Sequence, residues 1–484
     1  MSLLSAFSSA RSSLATVSQQ SALVSRNVAN AENPAATRKF ANQTSLIYGG
    51  VSIGSISQSS NQALFSSMTS ANASLAAADV TYGALNSIRN VIGDTDSITS
   101  PAARLAELEA ALSQYAVTPE DTQTARAAVS AASDLATSLN AATGAIQTAR
   151  TDADRQLADT ANKMNSLLEK FEKLNNKIMV GTTAGHDITD EIDQRDQIVT
   201  ELSGYLGLNV QVRTGNDMTL HTDSGITLFE TTARQVEFAP KSAYDATVVG
   251  GSFKIDGVSV SGTSAGMPIK SGSVYGLLAF RDETAVTLQG QFDEIAASLV
   301  EAFSETDAGG PPTTWSGLFA ITANGSSVDL ASVTSKAGFA GRISVSANVV
   351  ADPTLLRDGN ISGQSIDYNT GDNAGFSGRL NDLIANLSGQ RSFDGSLGAG
   401  TSGTIGDYIA SAISWLEDKR SAANDNVDYQ STVLSRAQES LSDLTGINLD
   451  EEMAHLLDLE RSYQASSKLI STIGEMIDSI LQIA

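Results

Sequence analysis

Cysteine is absent from this 484-residue chain, so it has neither a disulfide framework nor a thiolate metal site. Aromatic residues are scarce at 5% against 41% hydrophobic residues, so any core is built mainly from Ala, Leu, Ile and Val. Basic residues are also short. Lys and Arg total 30 against 54 Asp and Glu, for a net charge of −24. Such a surface repels phosphate, which argues against nucleic acid as a ligand. No apolar run reaches the roughly 18 residues that a membrane span needs. Ser, Thr, Gln and Arg interrupt the first residues throughout, so export with a cleaved secretory signal is not expected.

Catalytic constellations are equally scarce. His186, His221 and His455 fall in different elements. No Walker-type phosphate loop and no G-x-S-x-G elbow occurs. The pairs Glu451-Glu452 and Asp190-Asp193 resemble a general acid and base. Their plainer reading is acidic residues in the first turn of a helix, where they complement its dipole. The turns Asp358-Gly359-Asn360 and Gly371-Asp372-Asn373 lack calcium-loop spacing. No catalytic residue, metal or cofactor is expected, and the chain does not read as an enzyme.

What the chain does carry is a seam at each end. Leu449, Leu456, Tyr463, Ile470 and Ile477 recur every seven residues, continuing to Ala484. A second row runs through Leu459, Ile473 and Ile480, with Ser466 as its weakest member. Rows at 3-4 spacing form one apolar stripe on a helix, the coiled-coil pattern. Asn448, with Glu451 three residues on, marks the helix start as in a capping box. At the other end Leu3, Ala10, Val17 and Val24 form one row. Phe7, Leu14, Ser21 and Val28 form the other. The candidate interface residues are therefore Leu3, Phe7, Leu14, Val17, Val24, Val28, Leu449, Leu456, Tyr463, Ile470, Ile473, Ile477 and Ile480. The two ends differ in sign. Residues 1–78 hold Arg11, Arg26, Arg38 and Lys39 against Glu32. Residues 449–484 hold Asp450, Glu451, Glu452, Asp458, Glu460, Glu475 and Asp478 against Arg461 and Lys468. Opposite charge favours one pairing orientation.

The run A-T-V-S-Q-Q-S-A-L-V-S-R-N-V-A-N followed by Pro34 resembles the N-terminal signature of bacterial flagellar rod, hook and hook-associated proteins. The closing run G-I-N-L-D-E-E-M-A-H-L-L-D-L-E-R-S-Y-Q-A-S-S-K-L-I-S-T-I-G-E-M-I is similar to their C-terminal signature. Ala35-Ala36 stand where Gly-Tyr is common. Gly474 stands where an acidic residue is more usual, and glycine inside a helix costs about 1 kcal/mol relative to alanine.

Between the ends, helical periodicity is read over about 63–90, from Pro101 to about Tyr115, and from Thr118-Pro119-Glu120-Asp121 to the break at Gly181–Gly185. A short helix then runs to Leu206, with a Glu191–Arg195 pair four apart. This helical insert, with D-E-I-D-Q-R-D-Q-I-V-T-E-L-S, looks like the hook-associated protein 1 family and unlike rod or hook proteins. Alternation over 208–275 predicts short strands. A helix is expected over 285–303, a turn at Gly309-Gly310-Pro311-Pro312, more strands over 317–355, a helical patch at 380–387 and a long helix from Ile405 to Thr445-Gly446.

The fold expected is α+β multidomain, about two to four domains by length. Residues 1–62 and 446–484 form a terminal helical stem, 63–207 and 405–445 a helix-rich domain, and 208–404 an inserted β-rich region. The resemblance implies a structural junction protein between the bacterial flagellar hook and filament. It would be secreted through the flagellum's own export channel and assembled in a ring with copies of itself. Its implied partners are hook protein, the next hook-associated protein and an export chaperone. The alternatives are a hook or rod axial protein, a flagellum-borne enzyme, and a secreted effector or adhesin with coiled-coil ends.

Overall fold

The computed structural model describes residues 3–47, 50–262, 265–307, 313–323, 326–327 and 335–483. Helix α1 (Leu3–Ala29) stops ahead of Asn33-Pro34, as proline disfavours helical geometry in the residue before it. Strands β1 (Lys39–Ser45) and β2 (Val51–Gln58) form an antiparallel hairpin, with a register shift between Asn42 and Gln43. Helix α2 (Gln62–Ile92) is capped by Asn61, whose side chain accepts from the backbone N–H groups of Ala63 and Leu64. Helix α3 (Pro101–Val117) uses Ser100 as cap and proline in its first turn, where no N–H is missed.

Helix α4 (Thr122–Ala184) has 63 residues, about 95 Å at the usual rise. It is capped by Asp121 and ends at Gly185, whose φ of 71° is left-handed. A stripe of buried residues from Ala125 through Leu135, Ile146, Leu157, Met164 and Phe171 to Ile178 anchors it along its length. Helix α5 (Thr189–Tyr205) follows. The expected Glu191–Arg195 pair does not form. Arg195 turns inward, donating to Asn175 Oδ1 at 3.2 Å and the Asn216 carbonyl at 2.6 Å, while Glu191 meets Lys177 at 2.9 Å. Fixed interior acceptors outweigh an exposed helix pair worth a few tenths of a kcal/mol.

The inserted region is a set of small antiparallel sheets tied to helices. Strands β3 (Leu208–Val212), β4 (Met218–Thr222) and β5 (Thr227–Phe229) form one sheet in that order. A second contains β6 (Val236–Glu237), β7 (Lys254–Ile255) and β8 (Val258–Ser259). The helix expected from 285 begins earlier. Helix α6 (Ser273–Ala279), a π-helical turn (Phe280–Thr284) and α7 (Ala285–Ala302) run without interruption. Gly276 lets α6 lie against α2, since a Cβ there would meet the Ala77 carbonyl oxygen at 2.5 Å. Beyond it come β9 (Glu305–Asp307), β10 (Thr313–Trp315), β11 (Phe319–Ala323), β12 (Ser326–Ser327) and β13 (Ile343–Val345). Short helices α8 (Ala347–Ala351), α9 (Leu355–Asp358) and α10 (Gly378–Leu387) precede the pair β14 (Arg391–Ser392) and β15 (Ser402–Gly403). The turn expected at Gly309-Gly310-Pro311-Pro312 lies outside the described residues. Helix α11 (Ile405–Thr445) carries a full capping box, Thr404 with Asp407, and α12 (Leu449–Ile483) closes the chain.

One contiguous cluster of buried apolar side chains draws on α2–α5, the inserted sheets, α6, α7, α10 and the first part of α11. A separate, much smaller cluster joins α1 to α12. Sheets this small need pins, and charged groups supply them. Arg281, 1% exposed in the π turn, meets the buried Asp154 of α4 at 2.5 Å and donates to the Gly251 carbonyl at 2.9 Å. Arg150 donates to the carbonyls of Arg281, Asp245 and Val248. The loop between β6 and β7 is thereby held on α4. Glu305 accepts from the N–H groups of Ile361 and Ser362 in the same manner.

Asp293 of α7, 3% exposed, accepts from the N–H groups of Gly338 (2.8 Å) and Ala340 (2.9 Å) and from Gln289 Nε2 (3.1 Å). Burial nevertheless pushes its carboxyl up to about 6. The folded state therefore holds this proton more tightly than the unfolded state does. Stability from this group is greatest at low pH and falls as pH rises from about 4 to about 6, by at most about 3 kcal/mol. Thermal melts at pH 4.5 and 6.5 are expected to show this loss in the parent and a smaller one in Asp293→Asn. An identical pH response in both would refute the assignment.

Candidate assembly interface

The seams predicted at the chain ends do meet. Val17 and Val24 of α1 and Leu459 of α12 form a buried cluster, with Val28 and Leu456 packed against it. The row of α12 that faces α1 is Glu452, Leu459, Ser466 and Ile473, all buried at sevenfold spacing. Ser466 is a close-contact position and not a weak one, since its hydroxyl pairs with that of Ser13 at 3.2 Å. The other row is less covered. Leu456, Ile470 and Ile477 are half-buried, whereas Leu449 and Tyr463 are exposed, and so is Ile480 at the far end of the facing row. On α1, Leu3, Phe7 and Leu14 are half-buried. Exposed Met453, Leu457, Leu469 and Met476 add apolar surface on the other flanks of α12. A cluster this small offsets little of the conformational entropy of ordering two helices of such length.

The base of the stem is built differently, from charge. Arg26, near the end of α1, meets Asp187 at 2.9 Å and donates to Thr189 Oγ1 at 3.1 Å. The buried Lys39 at the start of β1 directs its ammonium between Asp190 and Asp193 of α5, the latter at 3.0 Å. Thr37 Oγ1 donates to Asp193 at 2.7 Å. Glu452 of α12 is 1% exposed and accepts from Asn27 Nδ2 at 2.9 Å and Arg38 Nε at 2.7 Å. Asn27 also bridges to the backbone of Lys39 in both directions. The Arg38 N–H reaches the Thr445 carbonyl at the end of α11 at 2.8 Å. Five elements thus meet at one polar joint. Burial alone would raise the Asp187 carboxyl, but hydrogen bonds from Thr189 and Arg26 hold it below the ordinary carboxylate range. Its contribution is present above about pH 4 and is lost as pH falls through the lowered value.

The sequence pattern supplied the apolar seam and the opposite signs of the two ends. It did not supply Lys39, Asn27 and Thr37 as joint residues, nor Asp190 and Asp193 as their partners. The available signal was that charge asymmetry. The histidines stay apart. The backbone N–H of His186 closes the end of α4 on the Gly181 carbonyl, His221 meets Thr227 Oγ1 at 3.2 Å, and His455 is exposed on α12. Among the described residues no group of His, Asp and Glu is arranged to hold a metal ion, and no helix is long and apolar enough to cross a membrane.

Two family models match the chain. "Flagellar hook-associated protein FlgK helical domain" covers residues 85–314, and "Flagellar basal body rod FlgEFG protein C-terminal" covers 443–483. The chain is 22% identical over 402 residues to flagellar hook-associated protein 1 of Salmonella typhimurium, spanning 69% of this chain and 72% of that protein. The Escherichia coli protein of that name is 22% identical over 401 residues with the same coverage, and the Bacillus subtilis one 22% identical over 351 residues. A solved structure, the flagellar hook junction protein FlgK from Burkholderia pseudomallei, is 23% identical with a TM-score of 0.43. That likeness covers 53% of this chain and 47% of the other.

Two substitutions test the stem. Lys39→Met leaves Asp193, with a side chain 11% exposed, without its cation. The loss should fall below the roughly 3–5 kcal/mol of a fully buried pair, because Asp190 is half-exposed and rehydrates. Hydrogen exchange should rise in 37–45 and 449–460 while α4 stays protected; unchanged exchange there would show that the joint does not hold the stem. At Gly474 an added Cβ meets nothing within 4 Å. Gly474→Ala should therefore strengthen the end of α12 by about 1 kcal/mol, read as slower exchange over 470–480.

Proposed function

The chain belongs to the flagellar hook-associated protein 1 family, and from that premise we propose that it joins the hook to the filament by self-assembly through its terminal helices. It is a structural component of the bacterial flagellum and not an enzyme. The observation that carries the mechanism is the stem itself. Two long helices share a cluster of three buried apolar side chains, yet present Leu449, Tyr463 and Ile480 of the seam, and further apolar residues beside it, to solvent. Neighbouring copies in a ring would cover that surface and order the stem, at roughly 1.5–3 kcal/mol for each Leu or Ile buried. The seam residues from Leu3 to Val28 and from Leu449 to Ile480 are its interface.

In this reading residues 1–62 and 446–484 are the assembly stem, 63–207 with 405–445 a helix-rich shaft, and 208–404 an inserted unit carried outward. Hook protein lies on one side and the next hook-associated protein on the other. Export proceeds through the flagellar channel without a cleaved signal, with a chaperone shielding the apolar stem beforehand.

Leu459→Asp tests this. Leu459 is 5% exposed in the α1–α12 cluster, and burying an unpaired carboxylate there costs several kcal/mol. The variant should be exported, keep the helical circular dichroism of the body, and fail to join the hook tip, so that cells lack attached filaments. Labelled antibody against the chain should mark the hook–filament boundary in the parent. Normal incorporation of Leu459→Asp would overturn the terminal-helix mechanism.

A further inference from the structure

Despite its net charge of −24, the chain carries a shallow, open cleft lined by lysines. It has a volume of about 440 Å³ and lies between α4 and α5. Lys170, Lys173 and Lys177 stand on one face of α4 at i, i+3 and i+7. Leu174 and Ile198 supply an apolar floor, and Gln194 and Gln197 line the α5 wall. Lys173 makes one exposed pair, with Glu169, and Lys177 meets Glu191, whose side chain is largely covered. The exposed pair exchanges at little cost. Lys170 has no ion pair among the described residues.

A face of matching chemistry lies on α12 of the same chain. Asp450, Met453, Ala454, Leu457 and Asp458 fall at i, i+3, i+4, i+7 and i+8, which is one stripe of the helix. Met453 is 45% and Leu457 54% exposed, although both are large and apolar. The stripe reads acidic, apolar, acidic, with Asp458 also meeting Arg461 at 3.5 Å, and the cleft offers lysines on its α4 side, an apolar floor and glutamines on its α5 side. A chain of contacts also links the two regions. Gln194 follows Asp193, which holds Lys39, and Lys39 is tied through Asn27 to Glu452 in the first turn of α12. Within one chain the joint keeps this stripe on the stem. Copies related by rotation would bring the stripe of one to the cleft of the next, a head-to-tail contact that closes into a ring.

We propose that the α4–α5 cleft receives the acidic-apolar stripe of α12, Asp450 to Asp458, from a second copy of this chain. This rests on the ring assembly proposed above and names its lateral contact. It explains why the lysines gather on α4 in an otherwise acidic molecule, and why Met453 and Leu457 face outward.

The test is a charge swap in the full chain, expressed in cells lacking the native copy. Lys170→Glu with Lys173→Glu, and separately Asp450→Lys with Asp458→Lys, should each reduce incorporation at the hook–filament boundary. All four together should restore it. Circular dichroism and export confirm that each variant folds. Because the chain has no cysteine, Gln197→Cys with Leu457→Cys gives a direct readout. Oxidation of isolated flagella should yield cross-linked multimers from the double variant and none from either single variant. Normal incorporation of both reversed variants, absence of cross-links, or failure of the fourfold variant to regain incorporation would overturn the contact. If the parent still marks the boundary in that case, the junction function stands without it. A parent absent from the boundary would remove both.

Discussion

The position of the stem depends on a lysine that the interior holds only because two carboxylates are waiting for it. Lys39 is 5% exposed, and an unpaired ammonium at that depth would be severely penalised. Asp190 and Asp193 satisfy it, Asn27 ties its backbone to α1, and Glu452 ties α12 to Asn27 and Arg38. These contacts are directional. An apolar patch at the same place would allow the stem to rock or slide, whereas hydrogen-bonded charges permit one register. The apolar seam above the joint is thin, so the joint is what aims it.

The rest of the molecule divides its labour accordingly. The body draws its rigidity from the continuous core around α4 and from α2, whose far end is tied to α11 by an ion pair between Arg89 and Glu417 at 2.9 Å. After Leu416 no residue of α11 is fully buried until Thr445, and the helix runs on against α2 with a half-buried stripe that includes Ala423, Val427, Leu434 and Leu441. The small sheets of the inserted region bury little by themselves. Arg150, Arg281, Asp293 and Glu305 fix their loops to helices through backbone groups, which defines geometry with few residues. The π turn at Phe280–Thr284 places Arg281 where it can reach Asp154 and Gly251 together. The body is thus closely fixed, while the stem is joined by few buried side chains.

The amino-acid order by itself determined the elements whose signals are local. The stripe from Ala125 to Ile178 marks α4, Asp121 and Gly185 mark its ends, and the sevenfold rows mark α1 and α12. The end signatures pointed to the family because those residues are contiguous. Tertiary structure alone decided what arises between distant segments. It turned Arg195 from Glu191 to Asn175, extended the α7 helix back to Ser273 against α2, and made Ser466 a contact residue through Ser13. It also changed the meaning of Asp190 and Asp193 from first-turn acids to ligands of a lysine 151 residues away from Asp190 in the chain. The reason is physical. Periodicity and capping act over one or two helical turns and leave their mark on neighbours in sequence. A buried charge is set by whichever partner the packing brings within about 3 Å, and nothing in the local sequence records that choice.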